Sequence, residues 1–198
     1  MGKELSEMTL EELWQLFPII LKRYNTYYPK WFEIEAKKFH HIFTRKVIKR
    51  ISHVGSTAIK GLIAKPTVDI LLEIHKKANL RNVKKALQEL GWILMFEQKH
   101  PKMKMIFNKG YTKKGFDEKV YHLHVRYYDE WNELYFRDYL CENKIIAKKY
   151  EKLKIRLSKV YKHNRDGYTF AKSEFIKRYT KKAKRKYKKR YFPRVGGV

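Results

Sequence analysis

Residues 67–74, TVDILLEI, constrain the fold more than any other stretch of the chain. The run is nearly continuous in apolar content, and a strand of that kind is buried on both faces. It therefore belongs in the middle of a sheet with other elements above and below. Lys65-Pro66 precedes it and ends whatever comes before, because a residue ahead of proline avoids the α region. Asp69 is the anomaly. An ionised, unpaired carboxylate among aliphatic side chains costs several kcal/mol, so Asp69 is expected at a strand end, facing solvent, a cation or a metal.

The segment leading into this strand reads HVGSTAIKGLIAKPTVD, residues 53–69. Val47–Val54 is short and rich in β-branched residues, which predicts a strand running into Gly55-Ser56; Ala58–Ala64 is a short helix or a loop. A glycine after a strand lets backbone N–H groups approach a phosphate closely, and the serine hydroxyl adds a donor. A Gly-Ser dipeptide alone means little, and a buried aspartate paired with a nearby lysine is as common as a catalytic one.

Elsewhere the pattern alternates between helices and strands. Thr9 and Glu12 form a capping box ahead of Leu10, Leu13, Trp14, Phe17 and Ile20/Leu21, which predicts an amphipathic helical arm. Lys30–Phe43 and Leu80–Leu90 read as helices, the second stopped by Gly91. His40 and His41 are adjacent on the first, point about 100° apart and are expected on the surface. Trp92–Phe96, Lys102–Phe107 and Val120–Tyr127 read as strands, with Asn108-Lys109-Gly110 as a turn. Trp131–Glu142, Lys144–Tyr161 and Ser173–Tyr191 are helical in pattern.

At 198 residues the chain suits one domain, placed at 1–176, with 177–198 as a basic C-terminal helix or tail. The single cysteine, Cys141, excludes an internal disulfide framework, which fits a reducing compartment. Acids stand at the N-terminus where a signal peptide would be basic, and no apolar run reaches membrane-spanning length, so the expected location is cytoplasmic. A formal net charge of +27 favours a polyanion such as RNA as a partner. Residues 177–194 hold eleven Lys/Arg and no acid, with Tyr179, Tyr187 and Tyr191 interspersed as candidate base-stacking platforms. Removing that run still leaves a strongly basic chain.

The combination RISHVGSTAIKGLIAKPTVDILLEI, then YHLHV and FRDYL, and finally YTFAKSEFI, resembles the GrpB or UPF0157 family, assigned to the nucleotidyltransferase superfamily. The resemblance covers about Glu11 to Ile176. It implies an α/β (α+β) fold: a nucleotidyltransferase-like small mixed β-sheet flanked by helices, with N-terminal helices and a C-terminal helical region. It also implies transfer of a nucleoside monophosphate from a nucleoside triphosphate to an acceptor, with Mg²⁺ or Mn²⁺ held by strand carboxylates. By position, Gly55, Ser56, Thr57, Lys65, His122 and Arg126 are the expected nucleotide or phosphate contacts. Asp69 and His124 are the expected catalytic residues, with Asp69 on the metal and His124 as a further ligand.

Two departures from the family pattern stand out. Superfamily members carry two alternating strand acids; here the second place is Leu71, and Glu73 lies about 13 Å further along the strand. Lys60 stands where the family often has proline. A second reading is therefore a catalytically degenerate module that binds nucleotide or RNA, or assists a partner such as dephospho-coenzyme A kinase, to which such domains can be fused. No GxxxxGK[ST] phosphate loop occurs in this chain.

Overall fold

A computed structural model describes residues 3–193. Five strands form one mixed sheet in the order β1-β2-β5-β4-β3: β1 (Ile48–Val54), β2 (Thr67–Ile74), β3 (Ile93–Gln98), β4 (Lys104–Thr112) and β5 (Gly115–Tyr127). β2 and β5 run parallel at the centre; every other neighbouring pair is antiparallel. Strand β2 is second from one edge and buried on both sides, as its apolar content requires.

The two sheet faces do different jobs. On one, Val68, Ile70, Leu72 and Ile74 of β2 join Tyr121, Leu123 and Val125 of β5 beneath α2 (Tyr28–Ile42) and α3 (Leu80–Glu89). Phe39, Val83, Leu87 and Trp92 belong to that core, the largest among the described residues. Each such side chain contributes about 1.5–3 kcal/mol of burial, so this face carries the stability. The other face presents Asp69, Leu71 and Glu73 beside His122, His124 and Arg126, in register. It lies against a helical region made of α4 (Asn132–Glu142), α5 (Lys144–Val160), α6 (Arg165–Ala171) and α7 (Ser173–Tyr187). Val54 and Leu71 pack on Leu134 of α4 there.

Several boundaries depart from the sequence pattern for physical reasons. The N-terminal helix α1 (Leu10–Leu16) has the expected reciprocal Thr9–Glu12 cap, yet stops well before Leu21. Pro18 follows and cannot continue a helix. Asn108-Lys109-Gly110 is no turn. It lies inside β4, where Gly110 (φ +86°) makes a bulge and a Cβ would fall 2.1 Å from the Lys119 carbonyl oxygen. Lys109 there reaches back to Glu35 of α2 at 3.2 Å, and the hairpin reverses at Lys113-Lys114. Helix α6 has no counterpart in the pattern; it is seven residues long and contains Gly167, so its apolar period is too short to read.

Helix α7 ends at Tyr187, earlier than Tyr191, and runs unbroken through Ile176. Its Tyr179, Thr180, Ala183 and Tyr187 are buried, with Ala183 and Tyr187 against Tyr135 of α4. The last basic residue of the 177–194 run, Arg194, lies outside the described residues. His40 and His41 are exposed, as adjacent helix positions require.

Candidate functional site

The site begins where β1 ends. After Val54 the chain must reverse beside β2, and Gly55 does so with φ +71° and ψ −169°, a region open essentially to glycine. A Cβ on Gly55 would stand 2.1 Å from Asp69 Oδ2. The glycine therefore lets the backbone lie against the carboxylate. A single 3₁₀ turn, Ser56–Ala58, follows.

Thr57 fastens this turn. Its hydroxyl donates to the Thr67 carbonyl oxygen at 2.9 Å and stands 3.0 Å from His53 Nε2. Burial pushes His53 down to about 4, against the pull of Asp69, so its imidazole is neutral near pH 7 and its Nε2–H donates to Thr57. Phe32 of α2 stacks on that ring. Across the sheet, Arg137 of α4 donates to the His53 carbonyl at 3.0 Å and pairs with Asp138, bracing helix on strand.

Asp69 heads a continuous hydrogen-bonded chain. Its Oδ1 is 3.2 Å from His122 Nδ1; His122 Nε2 is 2.7 Å from the Tyr111 hydroxyl; that oxygen is 3.0 Å from Arg165 Nη2. The guanidinium can only donate, so Tyr111 gives its proton to Nε2 and His122 gives its Nδ1–H to Asp69. Burial holds the imidazole below its ordinary pKa, which suits the neutral tautomer this chain requires. For Asp69, burial works upward, but the hydrogen bond from His122 and the nearby positive charge of Lys65 outweigh it and hold the carboxyl low. Asp69 is ionised.

Around this chain is a cavity of about 820 Å³. Gly55, Ser56, Lys65, Asp69, His122 and His124 line it, so the structure brings six of the expected residues to one place. Four cations line it as well: Lys65 and, from the helical region, Lys154, Arg165 and Lys172. Lys154 is almost fully buried; its ammonium donates to Ser56 Oγ at 3.1 Å and to the Ile63 carbonyl, while Glu151 one turn earlier accepts from the Ile63 N–H at 2.8 Å. Helix α5 thereby clamps the loop that carries Ser56. Lys172 sits over the Tyr168 ring at 4.0 Å and Arg165 over the Tyr111 ring at 5.3 Å.

Burial and mutual repulsion lower these amines. Lys65 and Lys154 fall to about 7 and Lys172 to about 8, with burial the leading cause in each case and Asp69 pulling the other way. A cluster this crowded is short of negative charge. The acids on the cavity wall are Asp69 and Asp166, the latter exposed in the first turn of α6. Leu10, Leu13 and Trp14 of α1 with Ile93 and Met95 of β3 form a second, apolar wall.

Two expected contacts are not part of the cavity lining. Thr57 is committed to its staple, and Arg126 lies four residues beyond His122, its guanidinium 5.3 Å over Trp131 and 3.9 Å from Glu133. Lys60 is exposed and does not line the cavity either. Glu73 forks to Arg50, with Oε1 2.7 Å from Nη2, and also faces the Asp129 N–H. Among the described residues no group of three His, Cys, Asp or Glu side chains could hold a metal ion. The donor set nearest to one is Asp69 with His124, whose buried Nδ1 has no partner; it stands among four cations and does not fit a divalent ion.

Tyr111, Lys154, Arg165 and Lys172 escaped the sequence reading. Signals existed for two of them: Lys154 interrupts the apolar stripe of α5 between Tyr150 and Leu157, and Lys172 falls within YTFAKSEFI. Tyr111 and Arg165 carried none, because the strand and helix that hold them were not read there.

The sequence model of the family described as GrpB protein matches residues 18–182. The chain is 34% identical over 169 residues to the glutamate-rich protein GrpB of Alkalihalophilus pseudofirmus, covering 80% of this chain and 91% of that one. It is 30% identical over 167 residues to the UPF0157 protein YqkA of Bacillus subtilis, covering 82% of this chain and 46% of that protein. The solved structure of conserved protein GrpB from Enterococcus faecalis superposes with a TM-score of 0.73 at 28% identity, over 85% of this chain and 99% of the other.

Proposed function

Because the chain belongs to the GrpB family, we propose that it binds a phosphorylated small molecule, a nucleoside triphosphate by preference, in the Asp69 cavity. The observation that carries this reading is that Lys65, Lys154, Arg165 and Lys172 line, together with the Gly55-Ser56 turn, one cavity of about 820 Å³, a size suited to such a ligand. The phosphates lie against the four cations and Ser56, and the apolar wall of α1 and β3 receives the base.

Nucleotidyl transfer, the activity implied by superfamily resemblance, needs a carboxylate pair to hold a divalent ion. Leu71 occupies the second acid's place, Glu73 is engaged by Arg50, and Asp69 is bonded to His122. The residues present favour binding without that chemistry. Under this reading the module acts alone or assists a partner protein such as dephospho-coenzyme A kinase.

Titration calorimetry with each nucleoside triphosphate is the direct test. Lys154→Met is expected to weaken binding at least tenfold while thermal unfolding stays cooperative. Affinity should fall as pH rises from 6.5 to 9, because amines at about 7 to 8 lose the protons that face the phosphates, and binding below that window should take up few. Affinity that climbs with pH would remove the cation cluster from the site. Label from an α-labelled nucleotide that appears on protein, RNA or a metabolite, and is lost in Asp69→Ala, would instead establish transfer.

A second reading rests on the outer face of α7, where Lys177, Arg178, Lys181, Lys182 and Arg185 are exposed. Tyr179 and Tyr187 are packed inward, and Tyr191 bonds Asp138 and Arg137, so these rings favour structure over base stacking. What the face offers RNA is phosphate contact. Affinity for a single strand should then drop about fifty-fold between 50 and 200 mM salt for four contacts. Replacing Lys177, Lys181 and Lys182 by Glu should abolish it; a salt-independent signal would point away from α7.

A further inference from the structure

Building on that reading of the cavity, we infer that this site takes its polyphosphate as the free anion, with protein cations in the place of the divalent ion. The geometry of Asp69 is the first ground. A nucleotide that arrives with Mg²⁺ normally shares the ion with protein carboxylates. Here Asp69 Oδ1 accepts from His122, and Oδ2 lies against Gly55 with no room for a Cβ between them.

The second ground is what surrounds it. Lys154 is held in place before any ligand arrives, by Ser56 Oγ and the Ile63 carbonyl; Arg165 is held by the Tyr111 hydroxyl; Lys172 rests on the Tyr168 ring. A divalent cation entering this cavity finds Asp69 already bonded to His122 and four basic side chains lining the same walls. A metal-free triphosphate, by contrast, neutralises charges the fold has concentrated. The complex with Mg²⁺ has had two of its negative charges cancelled and has less to offer the site.

Asp69 also has an assignable part. It is the anionic end of the Arg165–Tyr111–His122 chain, and it fixes the ring of His122 and the position of Arg165. It is a positioning residue, and its charge opposes the ligand. A metal-holding aspartate and a positioning aspartate respond oppositely to loss of charge, which separates the two roles.

The experiment is calorimetry of inorganic triphosphate and of ATP with the full chain, once in EDTA and once in excess Mg²⁺, for wild type and Asp69→Asn. The amide can still accept from His122 Nδ1–H. Binding at least tenfold tighter in EDTA, and tightened further several-fold in Asp69→Asn, is the expected result. Affinity that Mg²⁺ leaves unchanged or improves overturns this inference and leaves the proposed function standing, as does Asp69→Asn weakening the Mg²⁺-loaded ligand. Binding in neither condition overturns both. Lys65→Met guards against a misfolded Asp69 variant: it should lose the EDTA binding and keep the wild-type melting profile.

Discussion

Gly55→Ala is expected to lose ligand binding and to lower stability by about 1–3 kcal/mol from the backbone alone, since φ +71° with ψ −169° is a glycine conformation. Sterics add to that. A Cβ 2.1 Å from Asp69 Oδ2 forces the carboxylate to turn away, which breaks the bond to His122 and loosens Tyr111 and Arg165 behind it. Gly61 supplies the control: it has φ +78°, but a Cβ there would meet nothing within 4 Å, so Gly61→Ala carries the backbone cost without the collision. Urea unfolding and triphosphate titration of both variants give the comparison. Equal losses in the two would mean that the approach of Gly55 to Asp69 is of no consequence.

Arg50→Met should be more damaging to the fold than any change in the cavity. Glu73 is fully buried in β2, and burial pushes its carboxyl upward while the Arg50 fork pulls it back down. Removing the guanidinium leaves an uncompensated buried acid, a change worth about 3–5 kcal/mol. With Glu73→Gln added, most of that loss should return, because the amide carries no charge to strand. The sign of pH dependence follows. In Arg50→Met the Glu73 pKa lies above its unfolded value, so the variant should regain stability as pH falls toward 5 and lose it as pH rises through the folded pKa. Chemical denaturation of the single and double variants at pH 5 and 8 measures both effects, and a single variant within 1 kcal/mol of wild type would sink the argument.

The sheet was legible because its signals are local. TVDILLEI announced a central strand, and VYHLHVRY alternated as a half-polar strand should; the two pair in parallel, Asp69 opposite His122. The Gly-Ser turn, Lys65 and the two histidines could thus be placed at a common site. Beyond Lys65 the cation cluster was not assembled from sequence, since a lysine or arginine in a basic chain reads as a solvated charge. Only the packing of α5 and α6 turns Lys154 and Arg165 inward. Thr57 and Arg126 show the converse: their positions suggest ligand contact, while the fold gives them other neighbours and leaves them off the cavity lining. The bulge at Gly110 misled for a related reason, as a positive-φ glycine marks a turn and a β-bulge with the same residue.

The reach of Lys154 to Ser56 spans 98 positions of sequence, and that separation bears on how the protein matures. During synthesis the strands β1 to β5 emerge first and can pair, Asp69 meeting His122, before any of the helical region exists. Such a nascent sheet has its acid but not the three later cations, and its second face stays uncovered until α4 and α5 pack against it. Closing so long a loop is slow relative to local pairing. On the proposed reading, ligand capture is the last property the chain acquires, and a titration of refolding protein against time should register completion of the fold rather than formation of the sheet.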